Sequence, residues 1–394
     1  MTRGIIQLNR TTWALVFAFL SLFLLGVADN IRGPLFKEII SDFNLSNTLG
    51  SVMFALTSSM AFLASMLSGI YLRKYSLSSL LLLGVACMAV GLTTIGYSDA
   101  FRVLLIGSLF LGLGIGFMAV SQNLLVSENA PEKYRTRALS GLHSMYALAS
   151  LLAPFLVTYH MESTGQWGQV FKAAGFLALS FLVLQILIKP NPKFEAKKNE
   201  NTTNQLGERP TKLGLLSMGG LFGFYVVAEI LVSTRLPLYM STYHNYNVVE
   251  SSQALIGFFI FLFAGRLLFS FIKLNFELKR LLNSFLVLSL LSLILGLNFD
   301  PKFLILTGFF MAPFYPLSVM YISQSTAQLS RTYLSFAMSF QSLAVVAMHL
   351  GVGYLTDQFG LFYAFGVGIF ALVLSLVCLN FHPKKLQQDF QASS

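Results

Sequence analysis

The stretch Thr12–Phe36 reads TWALVFAFLSLFLLGVADNIRGPLF. Residues 13–28 carry no charge, and with their flanks they reach the roughly 20 residues that a helix needs to cross the hydrocarbon of a bilayer. Asp29 and Arg32 then follow before the apolar pair Leu35-Phe36. Three residues apart on a helix, an acid and an arginine share a face. A charged side chain at the bilayer centre costs roughly 2.5–3.5 kcal/mol on insertion scales, so that face needs shelter from lipid. One such helix therefore predicts others around it. Gly26-Val27-Ala28 loosely resembles a leader cleavage site, but more apolar runs follow at once, and the segment reads as a retained helix.

The rest of the chain agrees. Of 394 residues, 55% are hydrophobic, 11% are charged and 38 are phenylalanine. A soluble surface of that size cannot be built from about half the usual share of charged residues, which excludes a soluble enzyme, a disordered chain and a disulfide scaffold together. Cys87 and Cys378 lie within apolar runs and read as core filler. Twelve spans are predicted. Six run Thr12–Phe36, Asn47–Leu72, Leu77–Tyr97, Phe101–Ser127, Ala138–Tyr159 and Val170–Ile188. Six more run Leu213–Tyr239, Ser252–Ile272, Leu281–Leu297, Phe303–Ser325, Thr332–Leu355 and Leu361–Phe381. They are too long and continuous for the alternating strands of a membrane barrel, so the fold class is an all-α membrane protein.

Twelve spans put both termini on one side. With that side cytoplasmic, about 19 basic residues fall inside, among them Arg73, Lys74, Lys279 and Arg280, against five outside: Arg32, Lys37, Arg102, Lys172 and Lys302. The net charge of +10 is thus a topology signal and argues against nucleic-acid binding. Residues 189–212, KPNPKFEAKKNENTTNQLGERPTK, read as a polar cytoplasmic linker between a six-helix bundle at 1–188 and a second at 213–394.

The halves repeat. The first span ends in Ala28-Asp29, then Arg32-Gly33-Pro34-Leu35-Phe36; the seventh ends in Ala228-Glu229, then Arg235-Leu236-Pro237-Leu238-Tyr239. Ser121-Gln122 and Arg135-Thr136 between spans four and five match Ser323-Gln324 and Arg331-Thr332 between spans ten and eleven. Internal repeats of this kind mark secondary transporters, whose sites lie where the repeats meet.

With these repeats, the glycines Gly112-Leu113-Gly114-Ile115-Gly116, Leu142-His143 followed by Pro154, and Gly353-Tyr354-Leu355-Thr356-Asp357, the chain resembles the major facilitator superfamily across its length. Tyr225–Glu229 and Gly265-Arg266 are most similar to its fucose-permease branch. The resemblance implies two pseudo-symmetric six-helix bundles that work by alternating access, with a gating contact between spans two and three. There Gly69 is followed by Arg73-Lys74, so Arg73 replaces the family's acid. Phe117 and Met118 stand where the fucose branch carries an acid, and the Gly-Pro-rich antiporter signature is absent around Pro154. Both departures separate the chain from a standard sugar symporter or drug exchanger.

The charged and polar residues inside spans are the candidate site. Asp29 and Glu229 are candidates for proton coupling. Burial disfavours an ionised acid and a nearby arginine favours it, so such a group can switch. Arg32 and Arg235 are candidate substrate ligands, and as a pair they suggest an anion clamp, because a guanidinium holds carboxylate or phosphate bidentately. The alternative is that these four charges neutralise one another and hold the halves together; the six-residue spacing of Glu229 and Arg235 favours pairing between the halves. Asn30, Gln122, Asn123, Tyr225, Tyr315 and Gln341 are further substrate-binding candidates, each equally able to serve as helix-packing glue. His143 and His349 are candidates too, as proton relays or packing hydrogen bonds. Arg73, Lys74 and Arg266 are gating candidates. Gly33-Pro34 and Pro237 are predicted to break their helices, and Pro313 with Pro316 to let span ten flex.

The sequence thus predicts a monomeric secondary transporter in the bilayer of a bacterial inner membrane, moving a small organic solute with protons. No nucleotide loop or metal-ligand set is present, and no cofactor or metal is expected. The alternatives are an organic-anion carrier using Arg32 and Arg235, a sugar symporter, a drug exporter, and a transporter-shaped receptor or scaffold.

Overall fold

A backbone inside hydrocarbon must satisfy its own amides and carbonyls, which leaves the helix as the form for apolar stretches of this length. The computed structural model of the protein describes residues 10–131, 134–188, 210–271, 277–326 and 329–380, with no strand among them. The first seven helices are α1 Arg10–Asn30, α2 Arg32–Asp42, α3 Asn47–Tyr71, α4 Leu77–Gly96, α5 Phe101–Asn129, α6 Arg135–Thr164 and α7 Trp167–Ile188. The other eight are α8 Lys212–Tyr243, α9 Val248–Phe271, α10 Leu278–Asn298, α11 Lys302–Met311, α12 Phe314–Ser325, α13 Ser330–Phe359, α14 Leu361–Ala364 and α15 Gly366–Asn380. Taking α1 with α2, α11 with α12 and α14 with α15, they make twelve stretches long and apolar enough to cross a membrane. Large apolar side chains such as Phe176, Leu187, Ile70 and Phe370 point outward, as a lipid-facing surface requires.

The breaks differ in part from the sequence expectation. Span one breaks at Ile31, ahead of Gly33-Pro34, and Pro34 sits in the first turn of α2, where a missing N–H is no loss. Pro237 does not break its helix; α8 runs through it to Tyr243. Span ten does break, between Met311 and Phe314, at Pro313. Most of the expected linker lies outside the described residues. Its last residue, Lys212, already starts α8, with the Thr211 hydroxyl capping the amide of Gly214 at 3.1 Å.

The chain forms two compact units, Met1–Ile39 with Leu56–Asn204, and Ile40–Ala55 with Gln205–Ser394. The sequence division places residues 40–55 in the first half. They group with the second unit because the start of α3 is bonded to Arg235 of α8 and Asp357 of α13.

Within the first unit α4 lies along α5 and α7, and α1 along α6. Small residues set the approach of α4 to α5: a methyl group at Gly91 would stand 2.8 Å from the Gly107 carbonyl. The glycines at 112, 114 and 116 divide between two neighbours, Gly114 facing α4 while Gly112 and Gly116 face α3. In the second unit α8 is the central helix, flanked by α13, α15 and α9. Gly265 lets α9 approach the end of α11, where a methyl group would stand 2.6 Å from the Ala312 Cβ. That approach places the next residue, Arg266, against α8.

Candidate functional site

In the first unit, α1 delivers Asp29 and Asn30 at its C-terminal end, and Arg32, the first residue of α2, lies on the same face as Asp29. The Arg32 guanidinium ion-pairs with Asp29 Oδ1 through Nη2, and its Nε donates to the Asp29 carbonyl at 3.3 Å. From α6, Tyr146 donates its hydroxyl to Asp29 Oδ2 at 2.7 Å. One turn further along α6, Ser150 accepts a 2.9 Å hydrogen bond from Asn30 Nδ2, which also donates to the Gly26 carbonyl. Both carboxylate oxygens of Asp29 thus receive donors, an arrangement that suits an ionised acid.

The second unit repeats the chemistry with different scaffolding. Glu229 on α8 accepts from Arg266 Nη2 of α9 at 3.2 Å through Oε1. Tyr225, one turn before it on the same helix, lies 2.6 Å from Oε2, and its hydroxyl also lies 2.6 Å from the Met311 carbonyl at the end of α11. The Tyr225 ring stacks on Phe314 at 4.1 Å between centroids, and Tyr315 packs against Phe222 at 4.9 Å. Tyr315 is close enough to Glu229 and Arg266 to interact with both electrostatically. Each unit therefore carries an acid on its first span held by one arginine and one tyrosine. In the first unit the arginine is local and the tyrosine comes from a neighbour; in the second the roles are reversed.

This pairing corrects the sequence expectation. Glu229 is bonded to Arg266 and Asp29 to Arg32, each within its own unit. Six residues along a helix turn Arg235 away from Glu229. Arg235 is 1% exposed; its Nη2 donates to the Ser51 hydroxyl at 2.7 Å and its guanidinium lies over the Phe54 ring at 5.2 Å. His349 of α13 is buried and stacks on the same Phe54 ring at 5.0 Å. Arg266, expected as a gate contact, is the partner of Glu229.

Near them, Asp357 caps α3. Its carboxylate accepts from the Asn47 amide at 2.8 Å, Asn47 Nδ2 at 3.0 Å, the Thr48 amide at 2.7 Å and Thr48 Oγ1 at 2.6 Å. An acid at a helix N-terminus meets both the free amides and the positive end of the helix dipole. Gly353, one turn before Asp357, provides the room, since a methyl group there would stand 2.8 Å from the Asn47 carbonyl. The start of α3 is thereby tied to α8 and α13.

The remaining candidates scatter. Gln122 is fully buried, and neither atom of its carboxamide makes a hydrogen bond among the described residues. Asn123 turns back to the Ala119 carbonyl of its own helix at 2.8 Å. His143 is exposed and Gln341 half-buried on helices α6 and α13. Arg73 and Lys74 are exposed just after α3, where Lys74 Nζ lies 5.6 Å from the Tyr75 ring. Sequence reasoning missed Tyr146, Ser51, Phe54, Asn47 and Thr48. Tyr146 and Ser150 carried a faint signal as polar residues four apart in an apolar span; Ser51 and Phe54 carried none. Among the described residues no group of three His, Cys, Asp or Glu side chains could hold a metal ion.

Twelve apolar spans, with an acid–arginine pair within each unit, define a multi-pass membrane protein. Residues 18–326 match the family model of the Major Facilitator Superfamily, and the chain belongs to that family of transporters. It is 21% identical over 375 residues to the protein TsgA homolog of Buchnera aphidicola subsp. Baizongia pistaciae, covering 92% of this chain and 94% of the relative. It is 24% identical over 302 residues to the purine ribonucleoside efflux pump NepI of Escherichia coli (strain K12), covering 75% of this chain and 74% of that one. Its fold is similar to an inward-facing, unoccupied bacterial homolog of the human lysosomal transporter Spinster (TM-score 0.76, 13% identity, 97% and 98% covered). It is likewise similar to a D-xylose-proton symporter (TM-score 0.75, 14% identity, 94% and 98% covered).

Proposed function

We propose that this protein is a proton-coupled secondary transporter that moves a small organic solute across a bacterial inner membrane by alternating access, as a monomer with both termini in the cytoplasm. The observation that carries the reading is the matched acid–arginine–tyrosine cluster on the first span of each unit. An acid held by an arginine can release it on protonation, and a polar solute can then compete for the freed guanidinium. That exchange links proton binding to solute binding, so that a proton gradient can drive the solute.

A nucleoside-class solute is the first to test. Beside Glu229 and Arg266 the half-buried Tyr315 offers an aromatic face with a hydroxyl, which suits a planar base with polar edges. The purine ribonucleoside efflux pump among the relatives supports the same class. An anion clamp of Arg32 and Arg235 is disfavoured, because Arg32 is engaged by Asp29 and Arg235 is enclosed beside Ser51 and Phe54.

The test is flux of radiolabelled inosine, xylose and a dicarboxylate into sealed proteoliposomes under an imposed pH gradient. Gradient-dependent flux of one of them, abolished by combining Asp29→Asn with Glu229→Gln, is the expected result. Specific binding of a solute with no flux at any gradient would favour a receptor or scaffold.

A further inference from the structure

We propose that Glu229 is the proton-carrying acid of the second unit and that the Tyr225 hydroxyl transmits its protonation to the break in span ten. This deepens the proton-coupled reading above and rests on it.

A tyrosine hydroxyl has one proton to donate. Tyr225 Oη lies 2.6 Å from Glu229 Oε2 and 2.6 Å from the Met311 carbonyl, and both separations are those of an O–H···O hydrogen bond. The carbonyl can only accept. One hydroxyl proton cannot serve both acceptors in full, so the carboxylate and the carbonyl compete for it, and a proton taken up by Glu229 relieves that competition. In the protonated form Glu229 Oε2–H donates to Tyr225, and Tyr225 O–H donates to Met311. When Glu229 loses its proton to water, the single remaining proton goes to the charged acceptor, because bonds to ionised groups are the stronger. The Met311 carbonyl then loses its donor.

That carbonyl sits at a weak place in the helix. Met311 ends α11 and Phe314 begins α12, with Pro313 in the break between them, so the regular ladder of helical hydrogen bonds is interrupted beside this carbonyl. The Tyr225 ring lies against Phe314, so any shift of the hydroxyl also moves the ring across the first residue of α12. The Glu229 side chain keeps 16% exposure and that of Arg266 30%, which leaves a proton a route to water. Arg266 bonds one carboxyl oxygen of Glu229 and Tyr225 the other, and a proton on the acid alters the balance between them.

Among the described residues of the unit, the groups that bear on this balance are few. Facing Glu229 are Tyr225 on its own helix, Arg266 from α9 and Tyr315 from α12. On α11 the one charged residue, Lys302, reaches Asp300 at the opposite end of that helix. On α13 His349 is engaged with Phe54, Asp357 with the start of α3, and Tyr333 lies beside Gly214. α15 carries no acid or base other than Cys378.

The test uses the full-length protein in lipid nanodiscs across a pH series, with two measurements. Infrared difference spectroscopy follows the protonated-carboxyl stretch, and hydrogen exchange, corrected for the intrinsic effect of pH, follows residues 305–325. In the wild type the carboxyl band is expected to disappear as pH rises, with exchange at residues 311–317 accelerating roughly fivefold to tenfold over the same pH interval, as loss of one hydrogen bond implies. Glu229→Gln is expected to lose the band and the step together; Tyr225→Phe keeps a band at altered frequency and loses the step. A wild type with flat corrected exchange, or a step that persists in Glu229→Gln, overturns the proposal. The wild-type series needs no variant, so it decides the matter even if the Tyr225→Phe protein folds poorly. Solute flux in a protein lacking this signature sinks the coupling through Tyr225 and spares the transport reading; the signature without flux does the reverse.

Discussion

Arg235 donates to the Ser51 hydroxyl at 2.7 Å with its guanidinium over the Phe54 ring, so this buried cation is held in part by a neutral hydroxyl and an aromatic face. A buried charge kept this way depends heavily on each donor–acceptor contact, because little water is present to replace one. Ser51→Ala is expected to lower stability by about 1.5–3 kcal/mol, the range for a hydrogen bond to a charged group. Thermal unfolding of the purified protein in detergent checks this, and an unchanged midpoint would show the contact to be dispensable.

Asp357 serves four donors at the start of α3, which predicts a local effect of its loss. Asp357→Ala should cost about 0.5–2 kcal/mol, as for removal of a helix cap, and should speed hydrogen exchange in residues 47–51 far more than elsewhere. Asp357→Asn, which keeps one acceptor oxygen, should fall between the two. Exchange spread evenly over the second unit would contradict a capping role.

Gly353 owes its identity to the neighbouring turn of α3. A methyl group there would meet the Ser51 Oγ at 2.5 Å and the Asn47 carbonyl at 2.8 Å, so Gly353→Ala should destabilise by roughly 1–3 kcal/mol, the cost of overpacking. Combining it with Ser51→Gly removes one of the two clashes. A double-mutant cycle should therefore give a favourable coupling of at least about 0.5 kcal/mol, and additive effects would count against the contact.

Asp29 and Glu229 differ in what their neutral variants leave behind. Asp29→Asn removes the carboxylate from the enclosed Arg32, whereas Glu229→Gln removes it from the more accessible Arg266. The first is expected to reduce both protein yield and flux, by about tenfold or more for flux, because breaking an ion pair costs more where the remaining charge is buried. The second should reduce gradient-driven flux while leaving expression near normal. Western quantification beside vesicle transport separates the two; equal loss of yield in both would erase the distinction.

Much of the fold is legible in the sequence because hydrocarbon imposes one rule, long apolar helices, and twelve such runs stand out. The helix breaks are less so. Pro313 marks one correctly, but Pro237 leaves α8 intact and span one bends at Ile31, since a proline's effect depends on whether neighbours compensate the missing amide. Asp29, Arg32, Glu229 and Arg235 are visible as charges in apolar surroundings. Their partners are not, because pairing depends on which helix approaches: Gly265 brings Arg266 to Glu229, and the start of α3 brings Ser51 to Arg235. The grouping of residues 40–55 with the second unit follows from the same bonds and has no signature in composition.

Acids on the first span of each unit are proposed to link solute movement to proton movement. Vesicles holding the purified protein and a lumenal pH dye, challenged without any imposed gradient by a panel of nucleosides, sugars and carboxylates, test it most directly. The account predicts that a transported solute shifts the lumenal pH in the wild type and leaves it unchanged in the protein carrying both Asp29→Asn and Glu229→Gln. A solute that equilibrates across the wild-type vesicle with no pH change, at the same rate in that double variant, would contradict it.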